Sequence, residues 1–249
     1  IIFGGDSGRN DILNDLWEID LSVGLSNFQW RRIVSKNDPP KSRYAHSGVV
    51  LNHKLYIFGG YSGMYLDECW EFNFQTNRWR QIENIPDQRP DRRCYHSALE
   101  LTGTDCMIVY GGSNGNYLND VWIFDSLSLT WSLVSVITPL NEEHSDPYFV
   151  KPLVDETLPA ARAKHSAVAV DQDKFIIHGG TTGLFRESDS WLFRVLNLNQ
   201  VGHGQLRGEW IKLEPHINAQ IPVPRDSHTI SRIGEEIWLF GGSGKGTYF

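Results

Sequence analysis

Cysteine is scarce. Cys69, Cys94 and Cys106 are odd in number and show no Cys-x-x-Cys spacing, which leaves no disulfide framework and no cysteine zinc site to organise the chain. No Asn-x-Ser/Thr acceptor occurs either, and the two absences together point to a reducing cytoplasm. No apolar run approaches the ~20 residues that a membrane-spanning helix needs. Positive charge is also in deficit, with 23 Lys and Arg against 30 Asp and Glu and a net charge of −7. An extended basic face for nucleic acid or anionic lipid is therefore not expected. Gly-x-Ser-x-Gly elbows, phosphate-binding loops and Cys/His metal spacings are missing as well. The expectation is a chain without catalytic residues, cofactor, metal, nucleic-acid partner or membrane contact.

What is present is repetition. A double glycine closes an apolar run five times, at Gly4-Gly5, Gly59-Gly60, Gly111-Gly112, Gly179-Gly180 and Gly241-Gly242, at intervals of about fifty to seventy residues, the signature of an internal repeat. An early and a late tryptophan follow each of the first four: Trp17 and Trp30, Trp70 and Trp79, Trp122 and Trp131, Trp191 and Trp210. Pro-x-x-Arg-x-x-His-Ser/Thr precedes four of the pairs, at Pro40 to Ser47, Pro90 to Ser97, Pro159 to Ser166 and Pro222 to Thr229. Short apolar runs with turn residues between them read as four antiparallel strands per repeat, with Asn52-His53 as a tight hairpin turn.

These residues resemble the kelch repeat, the blade of a β-propeller, over essentially the whole chain. No tryptophan is followed by Asp, unlike the closing dipeptide of the WD repeat. The resemblance implies an all-β fold of four-stranded antiparallel blades in a single propeller domain over 1–249. About five blades are represented, at roughly 1–35, 40–84, 90–135, 159–215 and 222–249, the first and last incomplete, with a long inserted loop at 136–158. That count reads as part of a six- or seven-bladed ring completed by segments and companion domains outside this sequence. A five-bladed ring with a degenerate closing blade is the alternative. The Leu-Asn-Asp-x-Trp wording at Leu13 to Trp17 and Leu118 to Trp122 looks most like the multi-kelch subgroup of leucine-zipper-like regulators and Rab-effector-type proteins.

The residues common to every repeat read as scaffold. Glycine pairs admit backbone conformations that a Cβ forbids, paired tryptophans fill the space between blades, and Arg43, Arg93, Arg162 and Arg225 suit ion pairs with Asp15, Glu68, Asp120 or Asp189. His46, His96, His165 and His228, one per blade, are expected to donate to a backbone carbonyl of the adjoining loop rather than to share a metal. Glu142, Glu143, His144 and Asp146, in the insertion, lack an element that would fix a ligand geometry. Among kelch enzymes, the iron-dependent specifier proteins carry Glu-x-x-x-Asp-x-x-x-His. Here Glu142 and Asp146 fit, but Val150 fills the third place.

Function is sought where the repeats differ. In a four-stranded meander, the loops joining strands two and three emerge on the same face as the links between blades. Their tips offer Arg9, Tyr61, Tyr65, Asn114, Tyr117, Phe185 and Arg186, rich in the residue types of interface hot spots. The resulting reading is a non-enzymatic module that grips a protein or peptide partner on that face, as adaptor or scaffold. A small-molecule or catalytic site at the channel mouth is the alternative.

Overall fold

Each apolar run ahead of a double glycine becomes a strand; three of the five stop at the pair, while Ile2–Asp6 and Cys106–Ser113 run through it, and both glycines always take positive φ, as at Gly59 and Gly60 (64° and 99°). That region is strained for residues with a Cβ. The computed structural model describes residues 1–8, 11–21, 28–83, 88–138, 157–202 and 204–249. Among them are seventeen β-strands, no α-helix and one short 3-10 turn at Leu198–Gln200.

The strands form antiparallel meanders in chain order. The first sheet holds β1 (Ile2–Asp6), β2 (Ile12–Asp20) and β3 (Gln29–Ile33). The second is complete, with β4 (Ser47–Leu51), β5 (Lys54–Phe58), β6 (Cys69–Asn73) and β7 (Arg78–Ile82). In the third blade β8 (Ser97–Glu100) leads to β9 (Cys106–Ser113), β10 (Tyr117–Asp125) and β11 (Thr130–Val136). The fourth runs through β12 (Ser166–Asp171), β13 (Lys174–His178), β14 (Ser190–Val195) and β15 (Leu206–Lys212), and β16 (Thr229–Ile233) pairs with β17 (Glu236–Phe240). The first strands of successive blades, β4, β8, β12 and β16, lie side by side. This is the kelch propeller arrangement, with those strands innermost. Asn52 and His53 both take left-handed φ (49° and 58°), as a two-residue hairpin turn requires.

The core lies between blades. Trp79 stands opposite Phe72 and packs on Phe3 of the preceding blade. Trp131 likewise meets Phe124 and reaches Phe58, and Trp210 meets Phe193 and reaches Tyr110. The early tryptophans share that space: Trp191 lies within the core of the third and fourth blades, and Trp70 and Trp122 pack against the clusters between the earlier blades. Trp30, the late tryptophan of the first blade, is 47% exposed. The early tryptophans also turn their indole N–H onto an acid two residues back, and the expectation that paired rings fill the space between blades holds from the second blade to the fourth.

Two features depart from the regular meander. The link between β14 and β15 is tied down: Asn197 Nδ2 donates to Gln205 O, and Asn197 Oδ1 accepts from Arg207 N. Leu198 and Val201 pack on the core of the third and fourth blades. This fold carries β15 to the rim of the third blade, where it pairs in parallel with β11, Val134 opposite Leu206 and Val136 opposite Gly208. The third and fourth blades thereby become one eight-stranded sheet. Most of the long insertion, at 139–156, lies outside the described residues, as do its Glu142, Glu143, His144 and Asp146.

Candidate interaction face

The floor of this face is a bracket that recurs in the second, third and fourth blades. Arg93 forms two hydrogen bonds with the Asp120 carboxylate, both 2.7 Å, and donates to Gly111 O at 3.0 Å. Trp122 Nε1 donates to the same carboxylate at 2.7 Å. Arg162, Asp189, Gly179 and Trp191 repeat the arrangement. In the second blade, Arg43 reaches Glu68 through one nitrogen at 2.7 Å, and Trp70 joins it. The arginines are fully buried, so the pair is charge-assisted and positional. Burial alone would raise the Asp120 carboxyl. The Arg93 bonds and charge, with help from Trp122, outweigh it and hold the group below the usual carboxylate range.

The histidines rest on the glycine pairs. A Cβ on Gly59 would lie 3.0 Å from His96 Cε1, and one on Gly60 would lie 2.8 Å from His46 Cβ. The pairs at Gly59-Gly60, Gly111-Gly112 and Gly179-Gly180 are thus squeezed between their own histidine and that of the next blade. The expected bond from histidine to a loop carbonyl is not what His96 and His165 make. Their Nε2 atoms share hydrogen bonds with Ser47 Oγ (2.8 Å) and Ser97 Oγ (2.9 Å), the serines of the preceding blade's motif. Burial, reinforced by the Arg162 charge, depresses His165 to about 3, and burial with Arg43 depresses His46 to about 4. Cys69, Cys94 and Cys106 are all buried thiols, and burial pushes Cys94 and Cys106 up to about 11.

Above this floor lie the two residues between Arg and His in each motif. Ala45, Tyr95, Lys164 and Ser227 all adopt left-handed φ of 54° to 58°, a costly conformation for residues other than glycine. A backbone relay holds them there: Tyr95 N donates to Ala45 O, Lys164 N to Tyr95 O and Ser227 N to Lys164 O, each at 2.9 Å. They stand at the ends of the innermost strands and shape the channel mouth. The residues just before them, Tyr44, Cys94, Ala163 and Asp226, bridge to Tyr61, Ser113, Thr181 and Ser243 after the glycine pairs. The inter-blade links and the loops between second and third strands therefore do share one face.

The expected site residues divide on this face. Tyr61 and Tyr65 come together, with ring centroids 5.3 Å apart, and Tyr44 joins Tyr61 at 5.6 Å. Tyr117 lies over the neighbouring loop tip, where a Cβ on Gly183 would sit 2.6 Å from its ring. Asn114 Oδ1 accepts from Asn116 N and so holds its own turn. Arg186 pairs with buried Asp226 at 2.5 Å. Phe185 is 70% exposed at its tip, beside exposed Leu184. Arg9 lies outside the described residues.

Sequence reasoning missed Tyr44, Tyr95 and Lys164. Lys164 Nζ sits 4.7 Å from the centroid of Tyr95, whose ring lies 6.3 Å from that of Tyr44. The signal was available: within a fixed Arg-x-x-His frame, the two middle positions read Tyr-Ala, Cys-Tyr, Ala-Lys and Asp-Ser. Among the described residues, no group of three or more His, Cys, Asp or Glu side chains is arranged to hold a metal ion.

Comparison with known proteins agrees with this architecture. The family described as the KLHDC2/KLHL20/DRC7 Kelch-repeats domain matches residues 1–146. The leucine-zipper-like transcriptional regulator 1 homolog of Drosophila melanogaster is 28% identical, over 99% of this chain and 23% of its own length. An F-box/kelch-repeat protein of Arabidopsis thaliana is also 28% identical, over 83% of this chain and 40% of its own. Human host cell factor 1 is 24% identical, over 90% of this chain and 13% of its own. The chain spans less than half the length of each of these relatives.

Proposed function

This chain belongs to the kelch-repeat family, and we propose that it is a non-enzymatic protein-interaction module that binds a peptide or protein segment on the loop face. The observation that carries the reading is the group of part-exposed tyrosines, Tyr44, Tyr61, Tyr65 and Tyr95, gathered from two blades at the channel mouth. Tyrosine supplies large contact area and a hydrogen-bonding tip at low entropic cost, which is why it is enriched at binding hot spots. Its rings here are not needed to close the inter-blade core, which the tryptophans fill. In relatives two or more times longer than this chain, such a face would serve as the recognition part of an adaptor or scaffold. A cytoplasmic location is part of the same proposal.

Selection of a random peptide library on the protein tests the face. Peptides recovered on the unmodified protein should bind the Tyr61→Leu/Tyr65→Leu variant at least about tenfold more weakly, with its thermal midpoint unchanged. Undiminished binding to that variant would place the interaction elsewhere on the molecule.

A further inference from the structure

The four tyrosines are arranged in a way that narrows what they can hold. Tyr44 and Tyr61 are tilted by 56°, Tyr61 and Tyr65 by 76°, and Tyr44 and Tyr95 by 65°. No two rings are stacked in parallel, and each meets only one or two of the others. Negative π surface therefore stays available toward solvent, where all four are part exposed. One face is already used by a cation, the Lys164 ammonium over Tyr95. An exposed carboxylate, Asp6, lies beside the cluster: Gly5 N donates to Arg43 O at 2.9 Å, which sets the residue after Gly5 next to the residue after Arg43. Burial first, and among its neighbours the Asp6 carboxylate, push the Tyr44 phenol up, so the ring stays neutral beside one negative charge.

We infer that this cluster is the subsite for an arginine side chain of the protein partner, with the guanidinium laid against Tyr44 and Tyr61 and an N–H group turned to the Asp6 carboxylate. The inference rests on the interaction reading of the loop face. Arginine is favoured over lysine by the openness of the site. A guanidinium is planar and weakly hydrated, so it stacks on half-exposed rings without full desolvation, whereas an ammonium holds its water more strongly. A quaternary ammonium calls for a closed aromatic box, and these rings form an open angle. Lys164 limits the subsite on one side, since its charge opposes a second cation on Tyr95.

The subsite can be tested before any partner is identified. The peptides acetyl-Gly-Ser-Gly-Arg-Gly-Ser-Gly-amide, its citrulline counterpart and its lysine counterpart are titrated against protein carrying carbon-13 in the tyrosine rings. The arginine peptide should shift the Tyr44 and Tyr61 resonances. The citrulline peptide, alike in shape but uncharged, should bind about fivefold more weakly, in line with a cation–π contribution at an exposed site. Asp6→Asn should weaken the arginine peptide, and Lys164→Met should strengthen it. Equal binding of arginine and citrulline, equal binding of arginine and lysine, or no movement of the tyrosine resonances would each overturn the arginine subsite. The citrulline and lysine comparisons use the unmodified protein, so they stand even where a variant fails to fold. If library-selected peptides depend on Tyr61 and Tyr65 yet carry no arginine, the subsite falls while the interaction face remains.

Discussion

Arg93 and Tyr95 are two residues apart in the chain and belong to different regimes. The Arg93 guanidinium is fully buried and bonded to Asp120 and Gly111, and the same bracket recurs at Arg162. Tyr95 is 36% exposed, and its counterparts are Ala45, Lys164 and Ser227. The backbone treats the four alike and holds them all in one left-handed conformation. The propeller thus spends its repeated residues on the conformation of the mouth and leaves the side chains there free to differ. What a blade needs for folding and what it leaves exposed at the mouth are separated by two peptide units.

The largest effect that would test this separation is at the wedges. Trp131→Ala should cost about 4 kcal/mol by removing a buried ring that touches both Phe58 and Phe124, whereas Trp30→Ala, on the half-exposed counterpart, should cost under about 1 kcal/mol. Denaturant unfolding of the two variants measures the contrast. Equal losses would mean that position in the repeat, rather than burial between blades, sets the energy.

Next is the bracket itself. Arg93→Met should destabilise by about 3 kcal/mol, because it strands the Asp120 charge and Gly111 O. This is the low end for breaking a buried pair, since Asp120 remains 30% exposed. Tyr95→Ala should change stability by much less while altering the mouth, and unfolding midpoints of the pair would show whether floor and mouth are separable. The glycines offer a comparable contrast. Gly112 and Gly115 have similar φ (99° and 107°), but a Cβ on Gly112 would lie 2.8 Å from Cys94 O and His96 Cβ, while one on Gly115 would meet nothing within 4 Å. Gly112→Ala should cost about 3 kcal/mol and Gly115→Ala about 1 kcal/mol, the difference being the crowding alone.

The last effect is graded with acid. His46 and His165 stay neutral in the fold, with values lowered to about 4 and about 3, and burial with the Arg93 charge keeps His96 well below its ordinary value. Unfolding returns each to about 6.5, so below that pH the unfolded chain takes up protons that the folded chain refuses. Stability should fall as pH drops from about 6.5 toward 4, by up to about 1.4 kcal/mol per pH unit for each histidine. Glu68, Asp120 and Asp189, held low in the fold, add a further loss only as pH falls through the carboxylate range. Urea titrations from pH 7.5 to 5 should show the slope, and His165→Gln should reduce it by about one proton. An unchanged slope would show that His165 is not held neutral in the fold.

The family, the four-strand meander and the bracket were legible because they are written in residue type at fixed spacing. Arg43, Arg93 and Arg162 found Glu68, Asp120 and Asp189 as the repeat suggested. The tips carrying Tyr61, Tyr65 and Tyr117 were also visible, as departures from that repeat. Their fates were not: Asn114 closes its own turn, Arg186 is paired with Asp226, and Tyr44 and Tyr95 enter from a second kind of loop. A loop position announces its variability in sequence, but which side chain turns to a neighbour and which to solvent depends on what another blade places opposite it.

Sequence alone determined the strands, their order and the residues that bind each blade to itself, since those contacts are local and recur with the repeat. Beyond the tryptophans, tertiary structure decided what joins different blades. The serine–histidine bonds from Ser47 to His96 and from Ser97 to His165, the parallel rim pairing of β11 with β15 and the gathering of Tyr44, Tyr61 and Tyr95 at one mouth all bring together residues from separate repeats or separate loops. Spacing along a chain encodes contacts within a repeating unit. The distance between one unit and the next is fixed by how their buried faces pack, here by Trp79, Trp131 and Trp210 wedged against the preceding blade, and that packing exists only once the blades have come together.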